Sequence, residues 1–155
     1  MLKMLNPVDE IFQTTLLNNV NFSGIALHNG LTSNLKVIPA SANTGITFIR
    51  TDLDNQSNLI HANFNNVSET KLCTKLTNDF NVSVSTVEHL MAAFMGYGID
   101  NAIVEIDSQE VPILDGSAKN WIELIKKSGI KSLNSPIKII KIEKNVEIND
   151  GEKFI

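Results

Sequence analysis

The chain has 155 residues, of which 43% are apolar and 19% charged, and its formal net charge is −4. This is the balance of a soluble globular protein long enough to bury its own core, and it excludes a disordered chain. The thirteen basic residues include a single arginine, Arg50, and form no block, which removes the clustered positive charge that non-specific nucleic-acid binding needs.

The start of the chain, residues 1–12, carries Asp9 and Glu10 and no apolar run of signal-peptide length, so the expected location is the cytoplasm. No apolar run reaches the length of a membrane span. The one cysteine, Cys73, excludes an internal disulfide framework and fits a reducing compartment. Residues 20–28 and 31–38 read as strands joined by Asn29-Gly30, the dipeptide preferred in two-residue type I′ hairpins. Residues 39–43 read as a loop and 45–50 as a further strand. Residues 59–64 and 71–76 alternate as strands on either side of a polar, Asn-rich turn.

Helical period begins at Ser85. Val87, Leu90, Met91 and Phe94 share one face at i, i+3, i+4 and i+7, and Gly96 and Gly98 supply stop signals. Residues 102–106 form a strand, and Val111-Pro112 interrupts before a second helix over 117–128. That helix turns Trp121, Ile122, Leu124 and Ile125 inward, with Asp115 or Ser117 capping its start and Gly129 closing its end. The order predicts an α+β fold, a two-layer sandwich of a mostly antiparallel sheet with two helices, over residues 1–134. After Pro136 the pattern changes. Residues 138–142 and 146–148 read as two strands and Asn149-Asp150-Gly151 as a turn, so residues 135–155 are expected to open a second, incomplete domain of similar type.

The chemistry concentrates in Ser85-Thr86-Val87-Glu88-His89-Leu90. A Glu beside a His at a helix start can be a general base next to a metal ligand. It can equally be a capping box, in which Glu88 merely bonds the Ser85 N–H. Zincin spacing is absent, because Ala93 stands where the second His would be. His89 points away from the apolar stripe, toward a face with Ala92, Ala93 and Gly96 that another surface can approach closely. His28 reads as a turn histidine, His61 as a strand residue without a role, and Cys73 as a small buried hydrophobe. Asp115 in Asp115-Gly116-Ser117 is first a cap and second an acid or base. No phosphate-binding glycine loop occurs.

Five ordered stretches carry a resemblance: Ser23-Gly24-Ile25-Ala26-Leu27-His28-Asn29-Gly30, Asn43-Thr44-Gly45-Ile46, Val84-Ser85-Thr86-Val87-Glu88-His89-Leu90-Met91-Ala92-Ala93, Gly98-Ile99-Asp100-Asn101 and Glu110-Val111-Pro112-Ile113-Leu114-Asp115-Gly116-Ser117-Ala118. Together, over residues 13–154, they make the chain similar to the amino-terminal half of the UDP-3-O-acyl-N-acetylglucosamine deacetylases, zinc amidases of lipid A synthesis in Gram-negative bacteria. The resemblance implies a pair of two-layer α+β domains with the site between them, and hydrolysis of an N-acetyl amide on a UDP-linked acylated glucosamine. It implies Zn2+ as cofactor, His89 as its first ligand and Glu88 as the base that activates water. Leu72 and Cys73, in Lys71-Leu72-Cys73-Thr74, match a segment lining the family's site. The family's other His and Asp ligands, and a histidine that assists the leaving amine, belong to its second domain and have no counterpart here. One matched ligand leaves the chain alone expected to be inactive, since a catalytic zinc takes about three protein ligands. The alternatives are a non-catalytic fragment or remnant domain, or one half of a split enzyme.

Overall fold

The structure, a computed structural model, describes residues 11–53 and 57–155. The reading of Asp9 and Glu10 lies outside the described residues. Strand β3 (Thr32–Pro39) shows why the main sheet forms. Ser33, Leu35 and Val37 are buried while Thr32, Asn34 and Lys36 are exposed, the period of two that puts one face on a core. Antiparallel neighbours flank it, β2 (Val20–Ile25) on one side and β9 (Ala102–Ile106) on the other. Beyond β9 lies β4 (Ile46–Arg50), paired in parallel, then β5 (Leu59–His61), paired antiparallel, to give the order β2-β3-β9-β4-β5.

A parallel pair needs a long crossover. The crossover from β4 to β9 contains the 3-10 turn Phe64–Asn66, a small antiparallel sheet of β6 (Val67–Glu69), β7 (Lys75–Thr77) and β8 (Ser83–Val84), and helix α1 (Glu88–Tyr97). Helix α2 (Lys119–Ser128) follows β9 and packs against α1. Phe22, Val37, Phe48 and Val104 of the sheet join Leu90, Phe94, Trp121 and Ile125 of the helices in one buried cluster. The Phe22 and Trp121 rings sit 4.5 Å apart between centroids at 37°. The fold is α+β, a sheet layer under a helix layer.

A second ribbon closes the molecule. Strand β1 (Phe12–Leu16) pairs antiparallel with β10 (Ile130–Pro136), Leu16 opposite Ile130. Gln13, 7% exposed, ties this ribbon to two loops: its Nε2 donates to Asn43 Oδ1 (3.1 Å) and the Pro136 carbonyl (3.1 Å), and its Oε1 accepts from Asn43 N (2.8 Å) and Asn101 Nδ2 (3.0 Å). Strand β10 is continuous through residues 134 and 135, where the sequence pattern divides the chain. A small hairpin, β11 (Asn149–Asp150) with β12 (Lys153–Phe154), ends the described residues.

Several local expectations are corrected. Strands β1 and β10 have no local sequence signal, because only long-range pairing makes them strands. Residues 138–142 and 146–147 are not strands and have no partner ladder among the described residues; only Ile148 pairs, exchanging backbone bonds with Ile155 (3.0 and 3.1 Å) where it extends the hairpin around Gly151. The stretch 59–64 ends as a strand at His61, where Asn63 caps the 3-10 turn by accepting from Asn65 N and Asn66 N. Residues 71–74 are irregular, with Leu72 at φ 64°, so β7 starts only at Lys75. The hairpin at Asn29-Gly30 is not a two-residue turn: Ala26 N donates to the Leu31 carbonyl, leaving four residues in the loop.

Candidate active site

The capping box is absent. Helix α1 begins at Glu88 after Val87, which makes no side-chain cap, and the Ser85 N–H donates instead to the Gln109 carbonyl at 3.0 Å. Glu88 turns to the loop before β7, where its Oε2 accepts from Thr74 N at 2.9 Å. The reverse contact, Val87 N to the Thr74 carbonyl at 3.4 Å, makes a two-way staple between loop and helix. The start of α1 and the loop carrying Leu72 and Cys73 are therefore one assembly. Glu88 and His89 are both half-buried, Cys73 likewise, and Leu72 stands 83% exposed.

His89 makes no side-chain hydrogen bond among the described residues. Helix period carries it to the exposed side of α1 with Ala92, Gly96 and Met95, the last 86% exposed. Ala93 does not belong to this face; it is wholly buried, as the core side of the helix requires. Gly96 lies within the helix, and Gly98, at φ 73° and ψ 40°, is the left-handed residue that ends it.

The segments around this assembly converge on a residue whose role the sequence pattern did not reveal. Glu110 is 1% exposed, and its carboxylate accepts from His28 N (2.9 Å), Asn29 N (3.1 Å) and Thr86 Oγ1 (3.0 Å). This explains the wide hairpin, because Glu110 takes two amides of the turn. The one available signal was an acidic residue against an apolar Val-Pro-Ile run, since a buried carboxylate must gather donors. Backbone on both sides is bridged, Ser85 pairing with Glu110 and Ala26 with Pro112. The result is a cavity of about 400 Å³ lined by His28, Asn29, Lys71, Cys73, Ser85 and Glu110. His28 is thus an exposed turn residue that also faces the cavity of Cys73. His61, on β5, is set apart, its Nδ1 3.0 Å from Thr47 Oγ1.

Three bulky residues in these loops have positive φ: Leu72 (64°), Thr86 (57°) and Leu114 (55°). Such backbone costs about 1–3 kcal/mol each and persists where the surroundings over-determine it. Asp115 is engaged at the start of α2. Its Oδ1 accepts from Ser117 N and Ser117 Oγ, which hold its carboxyl below the usual aspartate range, and Ser117 Oγ accepts from Lys119 N. The cap is therefore a relay of Asp115 and Ser117 ahead of Ala118, and the helix proper starts at Lys119.

No group of three or more His, Cys, Asp or Glu that can hold a metal occurs among the described residues. The donor set fits one ligand's share: a free imidazole at His89 beside an anchored carboxylate. A complete catalytic zinc site needs about two more protein ligands.

The family described as UDP-3-O-acyl N-acetylglycosamine deacetylase matches residues 13–155. Proteins named UDP-3-O-acyl-N-acetylglucosamine deacetylase from Shewanella sp. (strain ANA-3), Shewanella oneidensis and Shewanella baltica (strain OS155) are each 44% identical over 144 residues, 93% of this chain and 47% of the relative. The chain spans about half the length of these relatives.

Proposed function

Because the chain belongs to the UDP-3-O-acyl N-acetylglycosamine deacetylase family, we propose that it supplies the first half of an enzyme hydrolysing the N-acetyl amide of UDP-3-O-acyl-N-acetylglucosamine. The setting is lipid A synthesis in the cytoplasm of a Gram-negative cell. Among the described residues no helix is long and apolar enough to cross a membrane. The first domain, drawn from the sequence over residues 1–134, closes on strand β10, which ends at Pro136, and the residues after it begin the second, which the exposed His89 side of α1 receives.

Glu88 is the general base. One oxygen stays on the Thr74 N–H, which fixes the carboxylate's aim, while the other takes a proton from the attacking water and holds it beside the tetrahedral centre. His89 is one ligand of a zinc whose remaining ligands come from outside the described residues. When bound, zinc supplies Lewis acidity and makes water nucleophilic near neutral pH. Leu72 and Cys73 line the path of the substrate beside the cavity that His28 shares. The observation that carries this reading is the Glu88–Thr74 bond, which frees Glu88 from the cap role and aims it at the loop of Leu72 and Cys73.

A fusion of this chain to the remaining half of the Shewanella oneidensis relative tests the proposal. Acetate release from the UDP-linked acylated substrate, lost with chelator and restored by zinc, is expected. A folded, zinc-loaded fusion without turnover overturns it. Turnover on mixing the two unfused halves supports the split-enzyme form.

A further inference from the structure

We propose that Thr86 and Glu110 act as a positioning pair that aims Glu88. The inference deepens the proposed function, since it takes Glu88 as the base. Thr86 is 2% exposed with φ 57°, although a β-branched residue resists that backbone more than most. A mere link at this point is met with less strain by Gly or Asn. Threonine adds a hydroxyl, and that hydroxyl donates to Glu110 at 3.0 Å.

The neighbours of Thr86 leave its backbone as the joint that sets the direction of α1. On one side Ser85 is held to the Gln109–Val111 segment by Ser85 N to the Gln109 carbonyl and Val111 N to the Ser85 carbonyl, both 3.0 Å. On the other side Val87 and Glu88 are stapled to Thr74. Glu110 is itself fixed by His28 N and Asn29 N. The turn of β2 and β3 thus holds Glu110, Glu110 holds Thr86, and Thr86 points the first turn of α1 at Thr74. Neither residue of the pair needs to touch substrate.

The test compares Thr86→Val, which removes the donor at nearly constant shape, with Thr86→Ser, which keeps it. In the chain itself, hydrogen exchange of the Thr74 amide is the readout, with the Val104 amide of the central strand as control. Thr86→Val is expected to speed Thr74 exchange about tenfold or more while Val104 stays protected, and Thr86→Ser to restore protection. In the active fusion, Thr86→Val is expected to lower kcat about 10- to 100-fold at unchanged KM, with rescue by serine. If the valine variant fails to fold, Thr86→Ala replaces it; alanine also lacks the hydroxyl that donates to Glu110, so Thr74 exchange should again rise. Unchanged Thr74 exchange in the folded variant overturns the proposal, as does a serine variant no better than valine. An unsubstituted fusion without activity counts against the proposed function, and the exchange comparison still decides the pair.

Discussion

The Thr74 amide donates to the Glu88 carboxylate across 2.9 Å, and this bond joins residues fourteen apart that local helix rules do not connect. A glutamine at 88 keeps an acceptor oxygen for that amide. Glu88→Gln is therefore expected to hold the melting free energy within about 0.5 kcal/mol of the parent. The same change removes the proton acceptor and should cut turnover of the fusion about 10²- to 10⁴-fold. Steady-state kinetics alongside a thermal melt check both; an unchanged rate makes Glu88 an anchor only.

The donor set governs metal content. With one free imidazole at His89 and no three-ligand group among the described residues, the chain alone should retain far less than one zinc after dialysis. In the fusion, His89→Ala should lose zinc and activity together. Elemental analysis reads both, and one tight zinc per isolated monomer would contradict the ligand assignment.

Gly24 lies under the 112–114 segment. A Cβ there would meet Pro112 Cβ at 2.9 Å and Leu114 Cδ2 at 3.0 Å. The proline ring cannot swing away, so Gly24→Ala should cost about 1–3 kcal/mol, the usual penalty of overpacking. Denaturant titration measures it. Since this segment adjoins Glu110, the variant should lose protection at the His28 and Asn29 amides as well.

Arg50, 8% exposed, donates from Nε and Nη2 to Asp52 and from Nη1 to the Ser83 carbonyl, linking the main sheet to β8. The guanidinium hydrogen bonds hold the Asp52 carboxyl below the ordinary aspartate range. A depressed folded pKa contributes stability that is complete above the unfolded value, about pH 4, and is lost as pH falls through the folded value. Asp52→Asn should lower stability at pH 7 by no more than about 1 kcal/mol, because Asp52 is exposed and solvent screens the pair, and should flatten the acid limb below pH 4. Melts at pH 7, 4 and 2.5 read the difference. An acid limb of unchanged steepness would assign it to other carboxylates.

Truncation separates the β1–β10 ribbon from the segment after it. The Ile137 N–H still bonds the Ile11 carbonyl, whereas Ile139, Ile140 and Ile142 are 70%, 92% and 74% exposed. Removing residues 138–155 should leave a cooperative melt and a more soluble chain, because exposed Ile-rich segments associate. Removing residues 130–155 should abolish the melt by stripping β1 of its partner. Calorimetry distinguishes the two, and equal loss in both would put the tail in the core.

Local pattern reached the parts of this molecule that are local. The stripe of Leu90 and Phe94, the buried Trp121 and Ile125, and the Gly98 stop follow from period and stereochemistry alone. The helix start did not, since the partner of the Ser85 N–H is a residue twenty-four positions away. The same reason hid β1, whose Thr14 and Thr15 look like loop residues until β10 lies beside them. At the site, the resemblance named Glu88, Leu72 and Cys73 separately, and it is the fold that brings the start of α1 to the loop of Leu72 and Cys73 through Thr74. Glu110 was not legible, because a carboxylate's donors are assembled by the fold: two from a hairpin some eighty residues earlier and one from Thr86.

The pairing of β1 with β10 also has a consequence in time. Its residues are more than a hundred positions apart, and translation proceeds at roughly 5–20 residues per second. For roughly six to twenty-five seconds of synthesis, β1 exists before its partner does. Leu16, wholly buried in the finished fold, has no ribbon to shelter it during that interval. Leu16 therefore reaches its buried place only after Ile130 has been made, which puts closure of the ribbon among the last events of folding.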